Sequence, residues 1–293
     1  MRGGAVSGGE RDPVSGVRRG GRSERGRAQG PARFGRRRGL PAPVRSMLTA
    51  MFAPQGPTFR ELVVQALSSV ERGYDLLAPK FDRTAYRTPE PVLESVTGAL
   101  RRFGPFGSGL DVCCGTGAGM GVLRQVCRES ITGVDFSAGM LAVGRAHAPT
   151  APDAPRTGWV RADARALPFG PVFDLAVSFG AFGHFEPRER PGLFAQVHSV
   201  LRPGGRFVFP IVAPARPGSR HYWSLLAFDT AMRVRNALWR PRFVMYYRTF
   251  RLAEVREELI RAGFEVELWA LEELGRRADG SPRCRLVVAT RTR

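Results

Sequence analysis

Residues 110–119, LDVCCGTGAG, carry an apolar stretch into a turn in which three of the last five positions are glycine. A buried strand followed by such a turn and a helix is typical of ligand-binding α/β proteins. Glycine lets a ligand approach the backbone closely and accepts positive φ at little cost. The free amides at the start of the helix then favour an anionic ligand group. We therefore expect a ligand to bind where this strand ends.

The segments around this turn alternate between strand and helix patterns. Continuous apolar runs, typical of strands buried on both faces, predict strands at 109–114, 130–135, 158–163, 173–179 and 205–212, with two later runs at 264–271 and 284–291. Amphipathic spacing predicts helices at 58–72, 89–103, 118–129, 138–148, 188–201, 219–239 and 252–262. The alternation predicts a doubly wound α/β fold with a largely parallel sheet.

Glycine spacing excludes two common nucleotide sites. The dinucleotide fingerprint G-x-G-x-x-G requires glycine at 120 or 122, where the chain has Met120 and Val122. A phosphate loop requires a lysine after its last glycine, but the single lysine, Lys80, lies well upstream. A nicotinamide oxidoreductase is accordingly the least favoured class of enzyme.

Four spaced elements together resemble the class I S-adenosylmethionine-dependent methyltransferases, in particular the small-molecule group that includes the ubiquinone and menaquinone methyltransferases. They are LDVCCGTGAG, Asp135 in TGVDFSAGML, Asp163 in VRADARALPF, and LRPGGRFVF at 201–209. The resemblance implies a Rossmann-like, seven-stranded, mostly parallel sheet with helices on both faces and an antiparallel final strand. It also implies S-adenosyl-L-methionine as the cofactor and no metal.

The resemblance assigns cofactor-binding roles to residues at the carboxyl ends of the strands, where open α/β sheets bind ligands. Asp135 would accept hydrogen bonds from the ribose hydroxyls, Asp163 would meet the adenine amine, and Asp111 would orient the turn or meet the ammonium group. The alternative for each aspartate is that it caps the following helix. The full predicted set is Asp111, Cys113, Gly115, Thr116, Gly117, Asp135, Phe136, Met140, Asp163, Ala164 and Ser178.

Candidate acceptor-side residues lie outside the glycine turn. His184, in SFGAFGHFEP after the fourth strand, is the candidate general base, and a hydrogen-bonded structural histidine is the alternative. The predicted helical lid at 57–103 and the insertion at 214–250 would shape the acceptor pocket. The candidate substrate-binding residues are Tyr74, Tyr86, Tyr222 and Tyr246.

Charge and composition leave two other functions open. The 293 residues carry a net charge of +19, and residues 1–46, rich in Arg and Gly, predict a disordered tail before a methyltransferase domain at 57–293. The alternatives are a nucleic-acid methyltransferase, which the missing Asn-Pro-Pro-Tyr signature disfavours, and a non-catalytic S-adenosylmethionine-binding module.

The four cysteines do not show the spacing of a zinc site, which argues against zinc. Together with the lack of a bilayer-spanning run, they predict a cytoplasmic protein. The aromatic residues beside arginines in 214–250 favour a small or lipid-like acceptor.

Overall fold

The computed structural model describes residues 56–84 and 86–292, so the predicted tail at 1–46 lies outside the described residues. Seven strands form one sheet in the order β3-β2-β1-β4-β5-β7-β6. Their bounds are β1 Phe106–Val112, β2 Cys127–Asp135, β3 Arg156–Arg161, β4 Phe173–Val177, β5 Leu201–Val212, β6 Phe264–Ala270 and β7 Cys284–Arg291.

Strand pairing confirms the predicted fold class. The pairs β1–β2, β1–β4, β2–β3 and β4–β5 are parallel, while β7 runs antiparallel to both β5 and β6. In register, Asp111 lies beside Gly133 of β2 and Val177 of β4. The carboxyl ends of three neighbouring strands therefore meet around β1, where the strand order reverses.

Eight α-helices accompany the sheet in the described residues. They are α1 Phe59–Leu67, α2 Val70–Leu77, α3 Glu90–Leu100, α4 Ala118–Val126, α5 Ala138–His147, α6 Arg190–Val200, α7 Arg220–Leu238 and α8 Leu252–Arg261. None of the helices in the described ranges is long and apolar enough to cross a membrane.

The prediction of one helix at 58–72 is wrong, because the chain forms two helices there. Ser68 ends α1 in an extended conformation, and the Ser69 side chain accepts a hydrogen bond from the Arg72 amide at 3.2 Å, which caps α2. Serine hydroxyls compete for backbone groups in this way at helix starts. After this break, α2 is directed toward the carboxyl ends of the strands.

The core has two layers, one on each face of the sheet. Along β5, Phe207 and Phe209 enter one layer with α6 and α8, while Val208 enters the other with α3 and α4. Successive side chains of a strand point to opposite faces, so a strand buried on both sides is apolar at every position. Because α3 packs in this second layer, only the part of the N-terminal segment before it is available to cover the strand ends.

Candidate active site

The glycine turn after β1 has an unusual backbone. Cys113 has φ 60°, and among the described residues it is the only one other than glycine with positive φ. Gly115 and Gly117 follow with φ 52° and 98°. The Cys114 amide donates to the Val134 carbonyl at 2.9 Å, which ties the turn to β2. A side chain in the left-handed region costs free energy, and such strain is concentrated at functional sites.

Asp111 is a buried carboxyl at the start of this turn. Only 1% of its surface is exposed, and within the described chain nothing donates to its Oδ2. Burial, followed by the negative charge of Asp135, raises the pKa of Asp111 well above its usual value. A buried acceptor without a donor destabilises the fold, so this oxygen is suited to a cationic or hydrogen-bonding ligand group.

Asp135, at the end of β2, is held by backbone amides. Its Oδ2 accepts from the Gly115 amide and its Oδ1 from the Ser137 amide, each at 2.9 Å. Burial raises the pKa of Asp135, and these amides oppose that effect. Each oxygen keeps a second lone pair, so the fixed carboxylate can still accept two hydrogen bonds from a diol.

Asp163 forms an ion pair that the sequence did not suggest. Arg165 contacts both of its oxygens, with Nη2 2.6 Å from Oδ2, and its Nη1 lies 2.6 Å from Glu189 Oε1. The hydrogen bond from Arg165 lowers the pKa of Asp163. Arg165 therefore orients the aspartate and keeps it ionised at the rim of the site.

Two other aspartates, absent from the predicted set, attach the N-terminal segment to the strand ends. Asp75 of α2 accepts from the Ser137 hydroxyl at 2.6 Å and from the Gly139 amide at 2.8 Å. Asp82 accepts from the Thr116 hydroxyl at 2.6 Å. The turns after β1 and β2 are therefore both bonded to the segment that covers them.

His184 lies in a short 3₁₀ helix, Phe182–His184, after β4. Its Nδ1 lies 2.8 Å from the Val244 carbonyl oxygen and its Nε2 lies 2.7 Å from the Tyr74 hydroxyl. A carbonyl can only accept, so Nδ1 carries the proton and Nε2 accepts from Tyr74. Burial lowers the pKa of His184, which keeps the imidazole neutral.

These elements enclose a cavity of about 610 Å³, within the range of roughly 300–1,000 Å³ common for small-molecule sites. Aromatic side chains make up much of the wall beside the carboxylates. The predicted residues that line it are Tyr74, Tyr86, Asp111, Cys113, Gly115, Thr116, Asp135, Phe136, Met140, Asp163, Ala164, His184 and Tyr246.

Three predicted site residues lie elsewhere. The Ser178 hydroxyl is buried and donates to the Val112 carbonyl at 2.8 Å, joining β4 to β1. Gly117 begins α4, and a β-carbon on it would lie 2.7 Å from the Trp159 ring. The Tyr222 hydroxyl accepts from Arg248 Nη2 at 3.0 Å, outside the cavity wall. The residue types at these three positions fit the sequence pattern. In the structure, their side chains or backbone atoms contact neighbouring elements instead of the cavity.

Residues 110–205 match the family model described as a methyltransferase domain. The matched residues run from the end of β1 into β5 and contain Asp111, Asp135 and Asp163.

Part of the chain is similar to curated methyltransferases, one of which acts in quinone biosynthesis. It is 33% identical over 133 residues to a ubiquinone/menaquinone biosynthesis C-methyltransferase from Roseobacter denitrificans, covering 44% of this chain and 52% of that protein. It is 32% identical over 131 residues to an uncharacterized methyltransferase from Synechocystis, covering 44% of this chain and 58% of that protein. The chain thus spans about half the length of the curated relatives it matches.

A solved structure shows the same fold. The putative methyltransferase in complex with the Trm112 activator from Haloferax volcanii superposes with a TM-score of 0.54 at 18% identity. The match covers 77% of this chain and 98% of that chain. At this identity the similarity extends to the fold alone.

Proposed function

We propose that the chain is an S-adenosylmethionine-dependent methyltransferase that acts on a small, largely apolar acceptor of the quinone-precursor type. One observation carries this proposal: Asp111, Asp135 and the glycine turn line a single cavity together with aromatic side chains. The similarity to a quinone-biosynthesis C-methyltransferase supports the acceptor class.

The residues present fit this cofactor. The unpartnered Oδ2 of Asp111 suits the ammonium of the methionine portion, and the amide-held carboxylate of Asp135 suits the ribose hydroxyls. Phe136 and the Ala164 amide would meet the adenine ring, with Asp163 near its amine. When bound, S-adenosylmethionine supplies a methyl group on a positively charged sulfur.

The protein's main contribution to the reaction is positioning. Methyl transfer is an in-line displacement, and holding the reactants in line can lower the barrier by about 7–11 kcal/mol. The contacts of Asp75 and Asp82 keep the covering segment on the turns that bind the cofactor. The segment that covers the cavity also limits the access of water to the reacting atoms.

Tyr74 and His184 provide a route for a proton. Tyr74 lines the cavity, and its hydroxyl donates to His184 Nε2. As the acceptor's O–H or C–H proton moves to Tyr74 Oη, the phenolic proton would move to His184 Nε2, and the electron pair of the broken bond would stay on the acceptor atom. The imidazolium then keeps its Nδ1 proton on the Val244 carbonyl. Tyr74 is thus the catalytic group in contact with the acceptor, and His184 is the base behind it.

Binding and transfer assays test the proposal in order. Isothermal titration of the full chain with S-adenosylhomocysteine should show saturable binding, and its absence contradicts the proposal. Radiolabelled methyl transfer is then measured with reduced naphthoquinones, reduced benzoquinones and an unmodified RNA. Transfer to a quinol supports the acceptor class. Transfer to RNA alone favours the nucleic-acid alternative, and binding without transfer to any of them favours the non-catalytic module.

A further inference from the structure

Helix α7 exposes several large apolar side chains to solvent, while two of its polar residues are buried with Met232 on the opposite side. Asp229 and Asn236 are buried, whereas Trp223 is 58% exposed, Val234 52% and Leu238 81%. At 100° per residue, positions 223, 227, 230, 234 and 238 fall on one side of the helix. A surface helix usually presents charged and polar residues to solvent on its outer side. We call this exposed side, with the adjoining Trp239, the α7 face.

The inward polar groups explain why the helix keeps this orientation. Asp229 accepts from the Tyr247 amide at 2.9 Å and from the Arg248 amide at 3.1 Å. The Asn236 side chain accepts from the Phe243 amide at 2.8 Å and donates to the Phe243 carbonyl at 2.9 Å. These bonds hold the loop after α7, and rotating the helix to bury its apolar face would break them. The exposure of the α7 face is therefore built into the fold.

The charge around the α7 face favours an anionic occupant. Between residues 214 and 251 the chain has eight arginines and a single acidic residue, the buried Asp229. Arg220, Arg233 and Arg240 are exposed on the helix or just past its end. Tryptophan is enriched at membrane–water interfaces. Trp223 and Trp239 lie near the two ends of the helix. Apolar side chains ringed by arginine are typical of helices that lie in the headgroup region.

A second apolar strip adjoins the same region. Arg235 Nη2 donates to the Ser68 carbonyl at 3.1 Å, which places the C-terminal end of α1 against the last turns of α7. On α1, Val63, Val64 and Leu67 are also exposed. The loop after α7 continues into the cavity wall through Arg242, Val244 and Tyr246. Helix α7 and the loop after it therefore carry both the α7 face and part of the cavity wall.

We propose that the α7 face docks the protein on the surface of an anionic phospholipid bilayer. The helix lies in the plane of the interface, with Trp223, Val234, Leu238 and Trp239 among the headgroups and the arginines paired with lipid phosphates. Apolar burial and electrostatic attraction add in this type of binding. The proposal is independent of methyl transfer.

Vesicle binding tests this proposal on the full chain. Sedimentation with vesicles of phosphatidylglycerol and phosphatidylcholine is compared for wild type, Trp223→Ser/Leu238→Ser, and the control Ile260→Ser, an exposed apolar residue on α8. We expect the double variant to lose at least about tenfold in partition coefficient, since each side chain loses burial in the bilayer. The control should bind like wild type, and binding of wild type should weaken at about 1 M salt, where the Debye length is ~3 Å.

The double variant keeps every charge, so it separates the α7 face from the Arg-rich segment at 1–46. Equal vesicle binding by wild type and the double variant would assign the interaction to charge elsewhere and overturn the proposal. Failure of wild type to bind vesicles would overturn it too. If wild type dimerises without vesicles and the double variant does not, a second copy covers the face, which also contradicts the proposal. Unchanged binding of S-adenosylhomocysteine and unchanged Tm show that the variants are folded.

Discussion

The Tyr74 hydroxyl lies 2.7 Å from His184 Nε2, although the two residues are 110 positions apart in the chain. The contact joins α2 to the 3₁₀ helix after β4, and it stands in the wall of the cavity. Burial, with smaller effects from Tyr86 and Asp135, raises the pKa of Tyr74. The phenol therefore stays protonated and loses its proton only in concert with a transfer to or from a neighbour.

Tyr74→Phe tests the proton route. Removing the hydroxyl keeps the ring packed near Phe243 but breaks the link to His184, so kcat should fall by about 10²–10⁴-fold, the usual contribution of general acid–base groups. KM and the affinity for S-adenosylhomocysteine should change little. Tyr222→Phe is the matched control, since it also loses one hydroxyl hydrogen bond, but outside the cavity. A kcat for Tyr74→Phe equal to that of the control would remove Tyr74 from the reaction.

Asp111→Asn tests the cost of the buried carboxyl. A raised folded pKa means that the folded state binds the proton more tightly, so the stability from Asp111 falls as pH rises above the unfolded value near 3.8. The side-chain amide of the asparagine does not titrate, so its contribution to stability does not change with pH. The Tm of Asp111→Asn relative to wild type should therefore increase from about pH 4 toward neutral pH, measured by thermal melts of the ligand-free protein.

The same substitution should weaken the cofactor site. Asparagine cannot neutralise an ammonium group, so titration with S-adenosylhomocysteine should give lower affinity even as the ligand-free protein gains stability. A Tm difference that is constant with pH would contradict the raised pKa of Asp111. Unchanged affinity would contradict its role at the ammonium group.

Gly119→Ala tests the close packing of α4 against Asp111. A β-carbon at 119 would lie 2.5 Å from the Asp111 Oδ2, so the carboxyl or the helix must move. We expect a loss of about 1–3 kcal/mol in unfolding free energy and weaker binding of S-adenosylhomocysteine. In the same helix, a β-carbon at 121 would meet no described atom within 4 Å beyond its chain neighbours and the adjacent helix backbone. Gly121→Ala should therefore gain up to about 1 kcal/mol from helix propensity, and equal effects at the two sites in urea melts would refute the contact.

Sequence patterns predicted the sheet and the strand-end acids well, for physical reasons. Leu175, Ala176 and Val177 are apolar at consecutive positions because β4 is buried on both faces. Asp111 and Asp135 lie at the carboxyl ends of β1 and β2, whose parallel pairing brings these ends together. These features depend on the local periodicity of apolar residues and on the rule that open α/β sheets bind ligands at the carboxyl ends of their strands. Both can be applied to a single sequence.

Long-range side-chain contacts were not predictable in this way. Asp75 and Asp82 bind turns that lie 62 and 34 residues later, and no local spacing marks them. Ser178 was chosen for its place after a strand, yet its hydroxyl joins two strands. The exposure of apolar residues on α7 likewise depends on the loop that Asp229 holds.

Calorimetric titration with S-adenosylhomocysteine tests the central claim most directly, using wild type, Asp135→Ala and the exposed-loop control Asp153→Ala. Wild type and Asp153→Ala should bind with the same affinity. Asp135→Ala should lose at least about tenfold, because charge-assisted hydrogen bonds contribute roughly 1.5–3 kcal/mol each. Binding by a folded Asp135→Ala protein that equals wild type would contradict the cofactor site described above.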